Sequence, residues 1–148
     1  MASLYDYLYH DRVVMLERTN KAGVLEEMHQ LLAREHLVSD PDQVFEKILQ
    51  REEEGSTGLG QSVAIPHVRL PEQKDLHMLI GFSEIGIDYD SVDGQPVHLI
   101  FMILVGSKQQ EYLKVISKIS QLIQNRAWNK KMLEIKSAEE LYNLLSES

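Results

Sequence analysis

Nine consecutive residues, Val97 to Val105, contain a single polar side chain, His98. A run of this kind suits a β-strand covered on both faces, because a half-solvated strand alternates apolar and polar side chains. It is far too short to cross a bilayer as a helix, which takes ~20 apolar residues. A doubly covered strand needs a layer above it and a layer below. Segments on either side of it supply them. Apolar residues at Val24, Leu25, Met28, Leu31 and Leu32, and again at Tyr112, Leu113, Ile116, Ile119 and Ile123, keep helical spacing.

Further elements follow from local signals. Thr19 is expected to cap the first helix. Ser39-Asp40-Pro41 opens a second, with a capping side chain followed by proline in the first turn, and Val44, Phe45, Ile48 and Leu49 form its apolar face. Gly55-Ser56-Thr57-Gly58-Leu59-Gly60 ends it and reads as a tight loop. Val13 to Leu16, Val63 to Ile65 and Leu76 to Ser83 read as strands, while Gly86 to Pro96 is rich in turn residues. Ser137-Ala138-Glu139-Glu140 is a capping box opening a last helix that turns Leu141, Leu144 and Leu145 inward. Helices alternating with strands around one fully covered strand predict an α/β sandwich. Its 148 residues suit one domain, expected over 1–148.

Charge narrows the function. The net formal charge is −8, with −10 carried before Gly106 and +2 after it. An acidic chain without clustered Lys and Arg argues against nucleic acid as a partner. The absence of cysteine removes disulfides, thiol chemistry and cysteine-ligated zinc. No basic-then-apolar leader opens the chain, so it is expected in the cytoplasm, as a small separate protein without direct membrane insertion.

The densest chemistry lies between Arg51 and Arg69. His67 follows Pro66, which ends the preceding strand and holds Ile65 extended, so the imidazole is expected at a strand end. A neutral imidazole can use a ring nitrogen as a nucleophile toward phosphorus. The Gly loop can turn backbone N–H groups toward an anion, and Ser56 and Thr57 add hydroxyl donors. Arg51 offers a guanidinium fork for phosphoryl oxygens. Nucleophile, loop and Arg suffice for phosphoryl transfer, which depends on positioning and charge stabilisation. On these residues alone, a structural histidine beside an ordinary loop is the commoner reading.

The stretch Arg51-Glu52 through Gly55-Ser56-Thr57-Gly58-Leu59-Gly60 to Val63-Ala64-Ile65-Pro66-His67 strongly resembles the signature of type-2 enzyme IIA domains. These are the fructose, mannitol and nitrogen-related IIA proteins of the bacterial phosphoenolpyruvate phosphotransferase system. Thr19-Asn20-Lys21, Val44-Phe45, Ile48 to Glu52 and Asp93 to Val97 extend the resemblance over nearly the whole chain. It implies a mixed central sheet flanked by helices on both faces. His67 would accept a phosphoryl group from the phosphocarrier HPr, with Arg51 supporting the phosphohistidine and Ser56, Thr57, Gly58, Gly60 and Arg69 around it. No cofactor or metal is implied. Two departures stand out. Tyr112 occupies the place of the family's second histidine, and Val68-Arg69 follows His67 where a small residue is usual. The resemblance to the nitrogen-related branch implies regulation of partners such as a transporter, a kinase or a sugar-specific component. The alternative is a non-enzymatic binding module of the same fold.

Other patterns carry less. Gly58 to Val63 lacks the third glycine of a dinucleotide fingerprint and no P-loop lysine follows. Asp88 to Gly94 misplaces the acids and glycine of a calcium loop and reads as a turn. His98 is expected as a hydrogen-bonded core or edge histidine, and His77 lies in another strand without metal-ligand spacing. Glu52-Glu53-Glu54 is expected to be a solvated helix end, and Trp128 beside Lys130-Lys131 an ordinary surface residue.

Overall fold

The Val97–Val105 strand, β6, is the axis of the molecule. A computed structural model describes residues 4–148. Successive β6 side chains enter opposite cores: Leu99, Phe101, Ile103 and Val105 on one face, Ile100, Met102 and Leu104 on the other. Both edges of β6 are paired. Along one runs β5 (His77–Ile87), antiparallel, with Ile80 opposite Phe101. Along the other lie β3 (Val63–Ala64) and then β4 (His67–Arg69), both parallel to it. The short β1 (Val13–Met15) adds a parallel outer strand against β5, and β2 (Gly58–Gly60) pairs antiparallel with β3. The sheet is six-stranded and mixed.

Helices cover it on both sides, as the sandwich reading requires. Helices α1 (Lys21–Arg34) and α2 (Pro41–Glu54) bury Val24, Met28, Leu32, Val44 and Ile48 against one face. Helices α3 (Gln109–Gln124), α4 (Arg126–Leu133) and α5 (Ala138–Ser146) cover the other, with Val115, Ile119, Trp128, Met132, Leu141 and Leu145 inward. Two short 3-10 turns, Leu4–Tyr7 and His10–Arg12, precede β1. Among the described residues no helix is long and apolar enough to cross a membrane.

The caps explain where helices begin. The Asp40 side chain accepts from Gln43 N at 3.1 Å and the Ser137 hydroxyl from Glu140 N at 3.2 Å, both as expected. At α1 the cap is Asn20 rather than Thr19: Asn20 Oδ1 accepts from Gly23 N at 2.7 Å. The Thr19 carbonyl instead accepts from Asp88 N, in the segment leading away from β5.

Several expectations are corrected. β5 runs to Ile87, past the polar Ser83 and Glu84, because a register shift between Phe82 and Ile87 lets pairing with β6 resume. Gly58-Leu59-Gly60 is a strand, not a loop. A Cβ at Gly58 would stand 2.9 Å from Ser91 Cα, so only glycine lets β2 approach the 88–93 turn that closely. Trp128 is 7% exposed and belongs to the core. It lies in α4, a helix that the sequence reading omits, capped by Asn125 Oδ1 accepting from Trp128 N at 3.1 Å. The indole N–H donates to Ser148 Oγ at 3.0 Å, which satisfies the one polar atom of the ring.

Trp128 thus fastens α4 to the sheet. Trp128→Ala is expected to destabilise the protein by about 3–5 kcal/mol through the cavity it leaves, and Trp128→Phe by less. Urea unfolding followed by circular dichroism checks both. A cost for the alanine variant under about 1 kcal/mol, the range of surface substitutions, would contradict this packing.

Candidate active site

His67 owes its place to a strand interrupted and then resumed. Ala64 pairs with Ile100 and His67 with Ile103, three residues on in both strands, so the register along β6 survives the break at Ile65-Pro66. Pro66 has no N–H to give, but its carbonyl accepts from Ile103 N at 2.9 Å. His67 is therefore the first residue of β4 rather than the end of an isolated strand. Val68, the next residue, is buried with α1 and α2. By alternation His67 and Arg69 point to the opposite face, toward α3. There the His67 ring lies 5.8 Å from that of Tyr112, in the first turn of α3.

The side-chain hydrogen bond of His67 fixes its tautomer. Nδ1 lies 2.8 Å from the Ile65 carbonyl oxygen. A carbonyl can only accept, so Nδ1 carries the proton and, in the neutral ring, Nε2 holds the free lone pair. The ring is half-buried, leaving it accessible to a partner. Nε2 is thereby the ring nitrogen with a lone pair to offer.

Arg51 and the loop after α2 are joined to the segment before His67 through the backbone. Thr57 O accepts from Ile65 N at 3.0 Å, which continues the β2–β3 pairing past Gly58–Ala64. Arg51 Nη1 donates to Gly55 O at 2.8 Å, at the start of that loop. This takes one of the five guanidinium N–H groups. Arg69 is exposed on β4.

The loop donors expected to face an anion are largely committed elsewhere. Thr57 is 3% exposed and its hydroxyl bonds the Glu52 carboxylate. The Ser56 hydroxyl donates to Tyr89 O at 3.1 Å and accepts from Gly58 N at 3.1 Å. Thr57 N donates to Glu52 Oε2 and Gln61 N to Asp93 Oδ2, each at 3.2 Å. Gly60, at φ +87°, serves the turn into β3 rather than an anion nest. The hydroxyls of Ser56 and Thr57 hold the loop's shape.

The residue that sequence reasoning missed is Glu52. It sits first in an acidic triplet, yet it is 8% exposed, whereas Glu53 and Glu54 are solvated. Four donors converge on its carboxylate: Lys21 Nζ at 2.8 Å, Tyr89 Oη at 2.9 Å, Thr57 N, and the Thr57 hydroxyl. Burial, and then the adjacent Glu52 charge, push the Tyr89 phenol above its ordinary range, so it remains a donor. Its helical register was the available signal, since Glu52 lies four residues after the buried Ile48. The first turn of α3 is also tied down. Glu111 accepts from Tyr7 Oη at 2.9 Å and from Leu76 N at 3.4 Å, and burial followed by that bond raises the Tyr7 phenol to about 12.

Other histidines lie apart from this constellation. His98 Nδ1 bonds Ser83 O at 2.8 Å, as a core or edge histidine does. Burial, and then the Arg12 charge, lower the His77 pKa. No group of three or more metal-ligating side chains is assembled among the described residues.

The Ile65 carbonyl makes a direct prediction. In the unphosphorylated protein at about pH 8.5, above the ordinary imidazole range, nitrogen-15 NMR of His67 is expected to show protonated Nδ1 and unprotonated Nε2. The reverse tautomer would contradict the bond from Nδ1 to the Ile65 carbonyl.

In sequence and fold the chain is similar to known proteins. Residues 7–148 match the family model described as "Phosphoenolpyruvate-dependent sugar phosphotransferase system, EIIA 2". The chain is 35% identical over 133 residues to the nitrogen regulatory protein of Escherichia coli, covering 87% of this chain and 80% of that one. It is 32% identical over 139 residues, 93% of its length, to the fructose-specific EIIABC component of Bacillus subtilis, of which it spans only 22%. The crystal structure of nitrogen regulatory protein IIA-Ntr from Neisseria meningitidis superimposes with a TM-score of 0.84 at 35% identity, covering 96% of this chain and 98% of that one. With the six-stranded mixed sheet and its two helical layers, these matches carry one conclusion. The chain belongs to the EIIA 2 family of the phosphoenolpyruvate-dependent sugar phosphotransferase system and is a phosphotransfer-related IIA protein.

Proposed function

We propose that Nε2 of His67 accepts a phosphoryl group from a phosphorylated HPr-like carrier, and that the phosphorylation state of this cytoplasmic protein regulates a partner. The observation that carries the reading is the Nδ1 bond to Ile65 O, which leaves Nε2 as the free nucleophile. In the transfer the Nε2 lone pair forms the new bond to phosphorus while the bond from phosphorus to the donor breaks. The electron pair of that bond returns to the donor, and the Nδ1 proton stays in place. Arg51, with four N–H groups beyond its bond to Gly55 O, offsets charge on the phosphoryl oxygens. Arg69, on the same side of β4 as His67, adds a second cation.

The family matches to nitrogen regulatory proteins support the regulatory branch. A phosphoryl group would add on the order of −1.5 to −2 to a chain at −8. Leu113, 61% exposed next to Tyr112, and Leu59, 41% exposed on β2, are apolar side chains open to a partner. Val68 is buried and takes no part in such a contact. A transporter, a kinase or a sugar-specific component that docks there would distinguish the two states. Tyr112 favours a second reading. A phenol cannot supply the positive charge that a protonated imidazole would, and a IIA fold without a working relay would act as a binding module.

Incubation with phosphoenolpyruvate, enzyme I and HPr, followed by intact mass measurement, separates these readings. One acid-labile phosphoryl adduct is expected on the wild type and none on His67→Ala. An unmodified wild type would favour the binding module. Arg51→Ala is expected to slow uptake by at least about tenfold while changing unfolding stability little, because Arg51 lies at a helix end. Tyr112→His is expected to prolong the phosphohistidine, since a charge-assisted bond is roughly twice as strong as a neutral one. No change in lifetime would leave Tyr112 a packing residue.

A further inference from the structure

Glu52 does more than fill a polar hole. Its two carboxylate oxygens take two donors each: Lys21 Nζ and Thr57 N on Oε2, the Thr57 hydroxyl and Tyr89 Oη on Oε1. Thr57 is thus gripped twice, by backbone and by side chain. Its carbonyl in turn accepts from Ile65 N, and the Ile65 carbonyl accepts from His67 Nδ1. One continuous series of hydrogen bonds joins a buried carboxylate at the end of α2 to the ring of the acceptor histidine. On the other side, the same turn receives Arg51 through Gly55 O.

We propose that Glu52 is the positioning residue of the acceptor site: through Thr57 and the Ile65 peptide it holds the His67 tautomer and ring orientation that present Nε2 for phosphoryl transfer. This rests on the acceptor reading above and names what orients it. If the Ile65 peptide swings away, the neutral ring is free to carry its proton on Nε2, and the nucleophilic lone pair there is lost. Thr57 is the critical link, and both its N–H and its hydroxyl are needed to transmit the position of the carboxylate to the backbone.

The geometry distinguishes a positioning role from a charge role. In Glu52→Gln the amide oxygen can still face Thr57 N and Lys21, while its NH2 group meets the Thr57 and Tyr89 hydroxyls, which rotate to accept. In Glu52→Met no acceptor remains for Thr57 N. Glu52→Met is therefore expected to move His67 from the Nδ1–H tautomer to a mixture in nitrogen-15 NMR, and to slow phosphoryl uptake from phosphorylated HPr by about tenfold or more. Glu52→Gln is expected to restore the tautomer and most of the rate. Trp128→Phe, in α4 and outside the hydrogen-bond path from Glu52 to His67, controls for lost stability and is expected to leave the tautomer unchanged. Should Glu52→Met fail to fold, Thr57→Val, which removes only the hydroxyl grip, is expected to shift both readouts in the same direction.

A wild-type tautomer in Glu52→Met, or in Thr57→Val if the first does not fold, would overturn the proposal. So would a Glu52→Gln variant as slow as Glu52→Met with its tautomer unmoved, since that pattern belongs to charge. The tautomer is read without any phosphoryl donor. Failure of the wild type to take up phosphate would therefore refute the acceptor reading, while the NMR result still decides the role of Glu52.

Discussion

The pairing of β6 along both edges and its burial on both faces is the constraint on which the rest depends. A strand with both edges bonded and both faces covered cannot slip, since a one-residue shift would exchange the two cores. Leu99, Phe101 and Ile103 would face α1 and α2, while Ile100 and Met102 would face α3. That fixed register becomes a ruler for β3 and β4. Because Ala64 is set opposite Ile100 and His67 opposite Ile103, the proposed acceptor histidine is placed by backbone pairing rather than by a loop. Sites carried on regular elements are held more tightly than sites on loops.

Pro66 has a specific task within this frame. It interrupts the ladder for two residues without changing the register, which leaves the Ile65 carbonyl out of the strand pattern and available to the His67 ring. On the other side, Thr57 O accepts from Ile65 N as the β2–β3 pairing continues. A continuous strand would have no such offset, and its histidine would lack a carbonyl acceptor two residues earlier. A buried carboxylate then becomes tolerable as well as useful. Every lone pair Glu52 directs inward meets a donor, so burial does not leave an unpaired charge.

Elements defined by periodicity or by a capping side chain were legible in the sequence. α2 and α3 begin and end close to their expected limits, and β6 is the strand that its composition describes. Elements defined by what lies across from them were not. Gly58-Leu59-Gly60 reads as loop because glycine has low strand preference, yet pairing with β3 makes it a strand. Trp128 looks like surface beside two lysines, although Trp128 and Met132, one turn apart, form the buried stripe of α4. Glu52 is hidden by its neighbours in the triplet. Its partners Lys21 and Tyr89 come from distant parts of the chain, and only the fold brings them together. The signature marked His67 and Arg51 as a pair, but the path from Glu52 through Thr57 to the His67 ring required coordinates.

The two departures from the family pattern acquire a common physical sense. A second histidine on α3 would place a titratable cation beside His67, whereas Tyr112 places a phenol ring 5.8 Å away. On the proposed reading, the positive charge near a phosphoryl group then comes from guanidinium groups, Arg51 beside the loop and Arg69 on the strand. Guanidinium remains charged at any physiological pH. Replacing an imidazolium by fixed cations would make retention of the phosphoryl group less sensitive to pH near neutrality, where imidazole changes its charge. The first turn of α3 then serves as a wall, which suits its anchoring. Glu111, next to Tyr112, is held by Tyr7 and by the backbone of Leu76, a mooring for packing rather than for proton exchange.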